Sequence, residues 1–397
     1  MAVLSLSEAR EALRAAAVPV SETETVPLED AFGRVMAETL ASPIALPPFS
    51  SSAMDGYAVR AREARTEGIR LPVAGRYAAG DAPGVLAKGT AARIFTGAPV
   101  PRGADAVVIQ EVCQPHEGAV TIGRPAVVGQ NVRAVGSSLR AGETLVSTGD
   151  RLTAAALGLV ASVGIARMSV FRRVRVAVLS TGNELTLPGL PLSKGRIYNS
   201  NRYVMRGFLD ELDAEIIDWG IVPDDLEATR TTLRLAAASA DVIVTSGGMS
   251  QGEEDHVTRA VRAEGRVDHW RIAIKPGKPL AFGSVANAAF FGLPGNPVAV
   301  WLGMFLLVSP FVRRCQRLER FELNRQRQRA DFSWIVRGDR LELLRVRRNS
   351  EGGLSLFEDP GSAASESAVW CDGIAAIPAW TTVSPGDVVD FWPGPGR

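Results

Sequence analysis

Apolar residues at helical spacing open the chain. The segment SLSEAREALRAAA carries Ser5 and Glu8 at the spacing of an N-terminal capping box. A second helical pattern follows in PLEDAFGRVMAETL, where Leu28, Phe32 and Val35 keep an approximate apolar face. The pattern therefore predicts two helices near the N-terminus.

From residue 43 to about residue 138 the pattern changes to short alternating segments. ADAVVIQEV and AVTIGRPAVV alternate apolar and polar positions, and glycine and proline separate such segments. This alternation is typical of a β-rich module. The next segment, GDRLTAAALGLVASVGI, is helical in pattern.

The most regular pattern begins at residue 174. Apolar strands are predicted at 174–179, in EIIDWGIV and in DVIVTS, and helices are predicted in NRYVMRGFLDEL and at 225–238. In the first of these helices Val204, Phe208 and Leu212 share one face. Strands that alternate with helices of this length predict a doubly wound parallel sheet with right-handed crossovers.

One later stretch, VAVWLGMFLLVSPFV, is apolar enough to suggest a membrane span. It is shorter than the roughly 20 residues that a spanning helix needs, and it contains Pro310 and ends at Arg313 and Arg314. We therefore expect a buried helix and no membrane insertion. The arginine-rich connector that follows includes acidic residues, which is typical of a solvated boundary, and DRLELLRV and GDVVDFW predict a small C-terminal β domain.

Composition and charge narrow the class of protein. The chain has 397 residues, of which 46% are hydrophobic and 22% charged, and its formal net charge is +1. It lacks the basic excess typical of a nucleic-acid-binding protein. Cys113, Cys315 and Cys371 form no metal-binding spacing, and the N-terminus lacks the uninterrupted apolar core of a signal peptide, so we expect a reduced, cytoplasmic location.

Glycine and negative charge meet at the end of one predicted strand, in VTSGGMSQGEED. Ligands of open α/β sheets bind at the carboxyl ends of strands, and Gly247 and Gly248 would let backbone N–H groups approach a phosphate. The acidic residues that follow would repel a phosphate unless a divalent cation lay between them, which favours Mg²⁺. Asp255 is equally well suited to cap the helix that begins DHVTRAV.

A second strand end, LSTGNEL, offers Ser180, Thr181, Gly182 and Glu184. Two such loops in one sheet, together with KPGKP and GLPGNP, favour a phosphate-ligand site over unrelated turns. Taken alone, KPGKP is more typical of a surface turn.

The β-rich module carries two further polar loops. Asp55 and Gly56 lie in PPFSSSAMDGYAVRA, and Thr96 and Gly97 lie in RIFTGAPVPRGADAVV. The Thr96 hydroxyl would either bind an anion or stabilise a turn, and turn stabilisation is the commoner role.

The order of the motifs carries more information than any one of them. SAMDGYAVRA, FTGAPVPRGADAVV, NVRAVG, LSTGNEL, TSGGMSQGEED, IAIKPGKPLAFG and FGLPGNPVAV, in this order, resemble the molybdopterin molybdenumtransferase family, which includes the MoeA proteins and the gephyrin E domain. The resemblance covers nearly the whole chain.

The resemblance implies an α/β plus β, multidomain fold. It implies a helical linker domain from residues 1–42 and 139–172, an inserted β-rich domain at 43–138, a doubly wound molybdopterin-binding α/β domain at 173–322 and a C-terminal β domain at 323–397. The family inserts molybdate into adenylylated molybdopterin and releases AMP with Mg²⁺. The resemblance further implies a homodimer that works with a molybdopterin-adenylylating enzyme and delivers the product to molybdoenzymes.

The same resemblance assigns site residues. The catalytic residues it implies are Asp55, Thr96, Glu184 and Asp255, and the metal ligands are Asp55, Glu184, Asp224 and Asp255. The substrate-binding residues that we predict are Arg133, Ser180, Thr181, Gly182, Gly247, Gly248, Ser250, Gly252, Lys275, Lys278, Pro294, Asn296 and Pro297. Because Asp55 and Asp255 fall in different domains, we expect an interdomain cleft that a partner subunit completes.

The chain departs from the family pattern at several usually charged positions. Ser137, Ser138, Asn183 and Asn199 stand where the family usually has acidic residues, and Arg271 stands where it usually has lysine. Serine and asparagine accept hydrogen bonds but bring no negative charge to a cation. A non-catalytic scaffold paralogue therefore remains an alternative, as does a molybdopterin adenylyltransferase, although single-domain adenylyltransferases lack the β-rich module.

Overall fold

In the computed structural model, which describes residues 3–248, 256–276, 280–359 and 365–394, the α/β region is built on a mixed sheet. In spatial order its strands are Val3–Leu4, Gly265–Ile272, Leu280–Val285, Ala288–Leu293, Val242–Ser246, Arg175–Thr181 and Glu215–Val222. The last four of these run parallel to one another, as the sequence predicts. The sheet then continues through the antiparallel strands Leu280–Val285 and Gly265–Ile272, which the sequence analysis did not foresee.

Helices cover both faces of this sheet. Val176 and Val178 face a core that includes Phe208 on the helix Asn201–Glu211, whereas Ala177 and Leu179 face the other core. The second core is closed by the helices Leu226–Ser239 and His256–Glu264. A strand buried on both faces has apolar residues at consecutive positions, which is why these strands were readable in the sequence.

The apolar stretch after GLPGNP forms one long helix. It consists of the α-helical segment Pro297–Gly303, a π-helical segment Met304–Val308 and the α-helical segment Ser309–Cys315. Pro310 has no backbone N–H, and the wider π-helical turns stand immediately before it. This helix is long and apolar enough to cross a membrane. However, 78% of an 18-residue apolar stretch within it is buried inside the protein, as expected for a core helix.

The first predicted helix is confirmed and the second is wrong. Leu6–Ala16 is helical with the predicted capping box between Ser5 and Glu8, and it packs against the core of the large sheet. The predicted second helix is reduced to a single 3₁₀ turn at Leu28–Asp30.

Backbone contacts explain why that helix does not form. Gly33 has a positive φ of 79°, which ends any helix there. Beyond it, the Met36 N–H donates to the Asp150 carbonyl at 2.9 Å and the Ala37 N–H to the Ser169 carbonyl at 3.0 Å. These long-range hydrogen bonds replace the helical ones.

The same region forms small strand pairs. Thr23–Pro27 pairs with Arg167–Phe171, and Leu40–Ala41 pairs with Thr144–Val146. The predicted helix after residue 149 is confirmed as Ala154–Ser162, with Thr153 as its N-cap.

The β-rich module is confirmed between residues 51 and 133. Its main sheet has, in order, the strands Ala106–Ile109, Gly56–Val59, Ala91–Ile94, Ile69–Tyr77, Ala119–Ile122 and Cys113–His116. Ser51–Ser52 pairs with Val132–Arg133 beside it, and 3₁₀ turns stand at Ala61–Glu63 and Gln110–Val112.

The C-terminal region is a β domain, as predicted. Its main sheet has, in order, Ile274–Lys275, Leu341–Arg348, Gly373–Ile377, Val388–Pro393 and Gln326–Arg329, with Leu354–Leu356 beside the second of these. Trp334–Ile335 pairs with Thr382–Val383, and Glu366–Trp370 is a short helix. A further small pair, Leu185–Thr186 with Ile197–Tyr198, lies beyond the strand Arg175–Thr181.

Candidate functional site

The carboxyl ends of the four parallel strands lie on one edge of the large sheet. These strands end at Thr181, Val222, Ser246 and Leu293. The Gly247 N–H donates to the Leu293 carbonyl at 3.1 Å, so the loops of TSGG and GLPGNP are in direct contact. The predicted polar loops TSGG and GLPGNP therefore meet at the edge where open α/β sheets bind ligands.

Thr181 and two glycines form a tight polar cradle at this edge. The Thr181 side chain is only 4% exposed, and its Oγ1 has no hydrogen-bond partner among the described residues. Gly247 and Gly248 have φ of 90° and 62°. A methyl group at Gly247 would lie 2.5 Å from the Thr181 carbonyl oxygen, and one at Gly248 would lie 2.9 Å from Thr181 Oγ1, so both positions require glycine.

Other polar groups near this edge are also unsatisfied. Within the described ranges, Thr245 Oγ1, Asn199 Nδ2 and Asn201 Oδ1 are buried without a hydrogen-bond partner. Asn201 Nδ2 donates to the Gly295 carbonyl at 2.8 Å, which places this asparagine beside GLPGNP. Buried polar groups are normally paired, so these atoms need a partner from outside the chain, either water or a bound ligand.

Sequence reasoning missed Asn201. Its neighbour Asn199 drew attention only as a departure from the family pattern, although the two asparagines stand together in IYNSN. A pair of asparagines at the start of a predicted helix was the available signal.

The proline and asparagine positions of GLPGNP start the long helix. Asn296 Oδ1 accepts from the Val298 and Ala299 N–H groups at 3.1 and 3.2 Å, and Pro297 is the first helical residue. Pro294 follows the strand Ala288–Leu293 directly. In this structure the Asn296 side-chain oxygen is therefore committed to capping.

Two predicted metal ligands lie in neighbouring loops. The Asn183 N–H donates to Asp224 Oδ2 at 2.8 Å, and the Asp224 N–H donates back to Asn183 Oδ1 at 3.4 Å. The Glu184 carboxylate folds over Gly182, where an added methyl group would lie 2.5 Å from Oε2. In the described part of the chain no three His, Cys, Asp or Glu side chains form a group that could hold a metal ion.

Asp55 and Thr96 form a separate pair in the β-rich module. Asp55 Oδ1 accepts from the Thr96 N–H and the Thr96 hydroxyl, each at 2.8 Å. These hydrogen bonds, with the positive charge of Arg93, hold the pKa of Asp55 below its usual value. No hydrogen bond or ion pair between described residues joins this pair to the strand-end loops.

Arg93 organises the surroundings of that pair, and sequence reasoning missed it. Its Nη1 donates to the Gly56 carbonyl at 3.0 Å, and its guanidinium lies over the rings of Phe95 and Tyr57, 4.6 and 5.3 Å from their centroids. Arg133 is exposed and pairs in register with Ser51, on the strand that precedes the Asp55 loop. Arg133 therefore offers an exposed positive charge on the strand pair that precedes the Asp55 loop.

Lys275 is exposed at the start of KPGKP, and its Nζ lies 2.9 Å from Glu342 Oε1. Four other predicted site residues lie outside the described residues: Ser250, Gly252, Asp255 and Lys278.

The fold and the site define a multidomain α/β protein with a polar strand-end edge on its large sheet. Residues 4–164 match the MoeA N-terminal region (domain I and II), and residues 177–314 match a probable molybdopterin binding domain. The chain belongs to the molybdopterin molybdenumtransferase family, as its motifs indicated.

Individual relatives agree with this assignment. The molybdopterin molybdenumtransferase of Haemophilus influenzae is 40% identical over 316 residues, which cover 79% of this chain and 78% of the relative. The protein of the same name from Synechococcus elongatus is 32% identical and covers 95% of this chain and 96% of the relative. The crystal structure of the molybdopterin biosynthesis MoeA protein from Pyrococcus horikoshii has a TM-score of 0.79 and 34% identity, with 99% of both chains covered.

Proposed function

We propose that this protein inserts molybdate into adenylylated molybdopterin and releases AMP, as a transferase of molybdenum cofactor biosynthesis. The observation that carries the proposal is the buried Thr181 hydroxyl, which lacks a described partner and lies beside two positions that only glycine can occupy. Such a cradle fits a phosphate or another oxyanion. The names of the curated relatives support the same substrate class.

The proposal gives the chain's own residues binding and orienting roles. Ser180, Thr181, Gly182, Gly247 and Gly248 would cradle the phosphate of the substrate. Lys275, Lys278 and Arg133 would offset its negative charge, and Pro294 and Pro297 would fix the GLPGNP loop beside it. Ser250 and Gly252 belong to the same predicted set.

Asp55 and Thr96 would act from the β-rich module. The two hydrogen bonds that Thr96 donates to Asp55 favour the ionised carboxylate and fix its orientation. A carboxylate held in this way suits a cation or a protonated group of the substrate.

We further propose that the reaction depends on Mg²⁺. Glu184 and Asp224 are oxygen donors of the type that Mg²⁺ prefers, and they lie in loops after adjacent parallel strands. Asp255 and Asp55 are the other proposed ligands. When bound there, Mg²⁺ would offset the charge of the phosphate groups and so favour departure of AMP.

The proposed working form is a cytoplasmic homodimer. All three cysteines are free, as expected in a reducing compartment. A molybdopterin-adenylylating enzyme would supply the substrate and molybdoenzymes would receive the product. Sedimentation of the purified protein at several concentrations tests the dimer, which a concentration-independent monomer would contradict.

The decisive experiment incubates the purified protein with adenylylated molybdopterin, Mg²⁺ and molybdate and follows AMP release. We expect release that requires molybdate. Tight binding of adenylylated molybdopterin without any AMP release would favour a scaffold paralogue. Formation of adenylylated molybdopterin from ATP and molybdopterin would instead indicate an adenylyltransferase.

A further inference from the structure

Lys275, the first residue of the segment KPGKP, lies in a strand of the C-terminal sheet. Ile274–Lys275 pairs in parallel with Leu341–Arg348, so that Lys275 lies opposite Glu342. The residues just before it, Gly265–Ile272, belong to the large sheet. Lys275 therefore stands where the chain passes from one sheet to the other.

Glu342 is a buried carboxylate whose two oxygens are both occupied. Its side chain is 8% exposed. Oε1 accepts from Lys275 Nζ at 2.9 Å, and Oε2 accepts from Trp334 Nε1 at 2.6 Å. A buried carboxylate is stable only when it is paired and hydrogen-bonded, and these two contacts supply both requirements.

Lys275 is hydrogen-bonded to Glu342 but remains exposed to solvent. Its side chain is 54% exposed, although its ammonium is bound to Glu342. An ammonium has three N–H donors, so the contact with one carboxylate oxygen leaves others available to an anion. The long lysine side chain is thereby oriented before a ligand arrives, which lowers the entropic cost of binding.

We infer that Glu342 is a positioning residue for Lys275, and that Trp334 in turn fixes Glu342, so that the C-terminal domain sets the position of a lysine that binds the oxyanionic substrate. This inference rests on the proposed function of Lys275 as a substrate-binding residue. Nothing in the motif pattern assigned a role to Glu342 or Trp334.

Glu342→Gln is the sharpest test. Glutamine replaces one of the two acceptor oxygens with an NH₂ donor, so the hydrogen bond to either Lys275 or Trp334 becomes a donor-to-donor contact. We expect KM for adenylylated molybdopterin to rise by about tenfold or more, by analogy with the ten- to hundredfold losses when the hydrogen-bond partner of a metal ligand is mutated. Glu351→Gln, which changes an exposed carboxylate of the same domain, should leave KM unchanged.

A double-mutant cycle separates positioning from a merely structural role. In a Lys275→Met background, Glu342→Gln should cause no further rise in KM, because the lysine that it positions is gone. Additive effects would overturn the inference. Trp334→Phe, which keeps the ring but removes the indole donor, should raise KM by less than Glu342→Gln.

A measurement independent of turnover keeps the test valid if the proposed reaction fails. The chain has four lysines, Lys88, Lys194, Lys275 and Lys278, so ¹⁵N-lysine labelling gives a simple spectrum. The Lys275 Nζ signal should shift in Glu342→Gln, because its charged hydrogen bond to Glu342 is lost, while the Lys88 and Lys194 signals should stay in place. An unchanged Lys275 signal would overturn the inference, whereas a shifted signal in a protein that releases no AMP would refute only the proposed reaction.

Discussion

The buried Thr181 hydroxyl is unfavourable for folding but has a proposed role in substrate binding. It has no hydrogen-bond partner in the described part of the chain, which is unfavourable for folding alone. Thr181→Val keeps the side-chain shape and removes the hydroxyl. We expect unchanged or higher stability, by up to about 1 kcal/mol, because an unsatisfied polar group is lost.

Binding should respond in the opposite direction. A hydrogen bond to a charged group contributes about 1.5–3 kcal/mol, so Thr181→Val should weaken binding of adenylylated molybdopterin by about tenfold or more. Calorimetric binding and urea unfolding measure the two effects. Thr229→Val is the matched control, because that buried hydroxyl is satisfied by the Asp225 carbonyl at 2.7 Å, and its loss should lower stability without affecting binding. Equal behaviour of the two variants would contradict the binding role.

The pair of Asp55 and Thr96 predicts a pH effect. Hydrogen bonds from the Thr96 N–H and hydroxyl lower the pKa of Asp55 in the folded state. A lowered folded-state pKa gives stability that is complete above the unfolded pKa of about 4 and is lost as the pH falls through the folded value. Thr96→Val removes the hydroxyl bond but keeps the backbone bond, so the pKa of Asp55 should rise part of the way to its usual value.

The measurement is carboxyl-carbon NMR of Asp55 across pH 2–6, because aspartate side chains titrate in this range. The acid limb of the stability curve should also begin to fall at a higher pH in Thr96→Val. Asp331, whose pKa is lowered by hydrogen bonds from Arg329 and Asn349 in the C-terminal domain, serves as the internal reference. An Asp55 titration that does not change would show that the backbone bond alone sets its pKa.

The sequence indicated the roles of some single residues but not of others. The alternatives for Thr96 could not be separated, because only the structure shows that its hydroxyl donates to Asp55. Asn296 was predicted to bind substrate, yet its oxygen caps a helix, a role that its place before Pro297 also permits. Glu342 carried no motif at all, and its contact with Lys275 spans 67 positions of the chain.

At the scale of elements, prediction succeeded where the apolar pattern is regular. EIIDWGIV was predicted as a strand and is the strand Glu215–Val222, and the helix Asn201–Glu211 buries Phe208 as its periodicity indicated. The failure at residues 27–40 has a physical cause, since Phe32 has helical spacing yet is exposed. Approximate periodicity there could not reveal that the backbone is bound to residues 150 and 169.

The long apolar helix is held by an aromatic cluster. Phe311 lies 5.0 Å from Phe291 and 5.8 Å from Phe282, centroid to centroid, with edge-to-face geometry. Phe311→Ala removes a buried ring, so we expect a loss of about 3–5 kcal/mol in the free energy of unfolding. Urea unfolding measures this loss. Leu235→Ala, at an exposed position of the helix Leu226–Ser239, should change stability by less than about 0.5 kcal/mol, and a similar loss in both variants would refute the packing argument.

At the scale of the whole molecule, direct contacts join regions that are far apart in sequence. Arg172 donates to both oxygens of Asp241, at 2.7 and 2.9 Å, and so ties the strand Arg167–Phe171 to the start of the strand Val242–Ser246. The sequence predicted the modules because each has its own local pattern. It could not predict how they contact one another, because such contacts leave no periodic signal.

The loop at residues 136–138 departs from the family pattern, which usually has acidic residues at positions 137 and 138. The Ser137 N–H donates to the Ala134 carbonyl at 3.1 Å and the Ser138 N–H to the Leu46 carbonyl at 3.0 Å, while both side chains are exposed. The backbone thus fixes the loop without using the serine hydroxyls. Substitutions at these two positions should change stability by less than about 0.5 kcal/mol.

If this loop faces the proposed cation site, Ser137→Glu with Ser138→Asp should lower the Mg²⁺ concentration needed for half-maximal AMP release. Each added carboxylate contributes on the order of 1 kcal/mol at a solvent-screened position, and each 1.4 kcal/mol is a tenfold change in affinity. Thr66→Asp with Gln114→Glu adds the same charge at exposed positions of the β-rich module and serves as the control. The measurement is Mg²⁺ titration of AMP release, with calorimetric Mg²⁺ binding beside it, both at matched ionic strength. A Mg²⁺ dependence that does not change, or that shifts equally in the control, would show that the serines lie outside the cation site and that their departure from the family pattern is neutral.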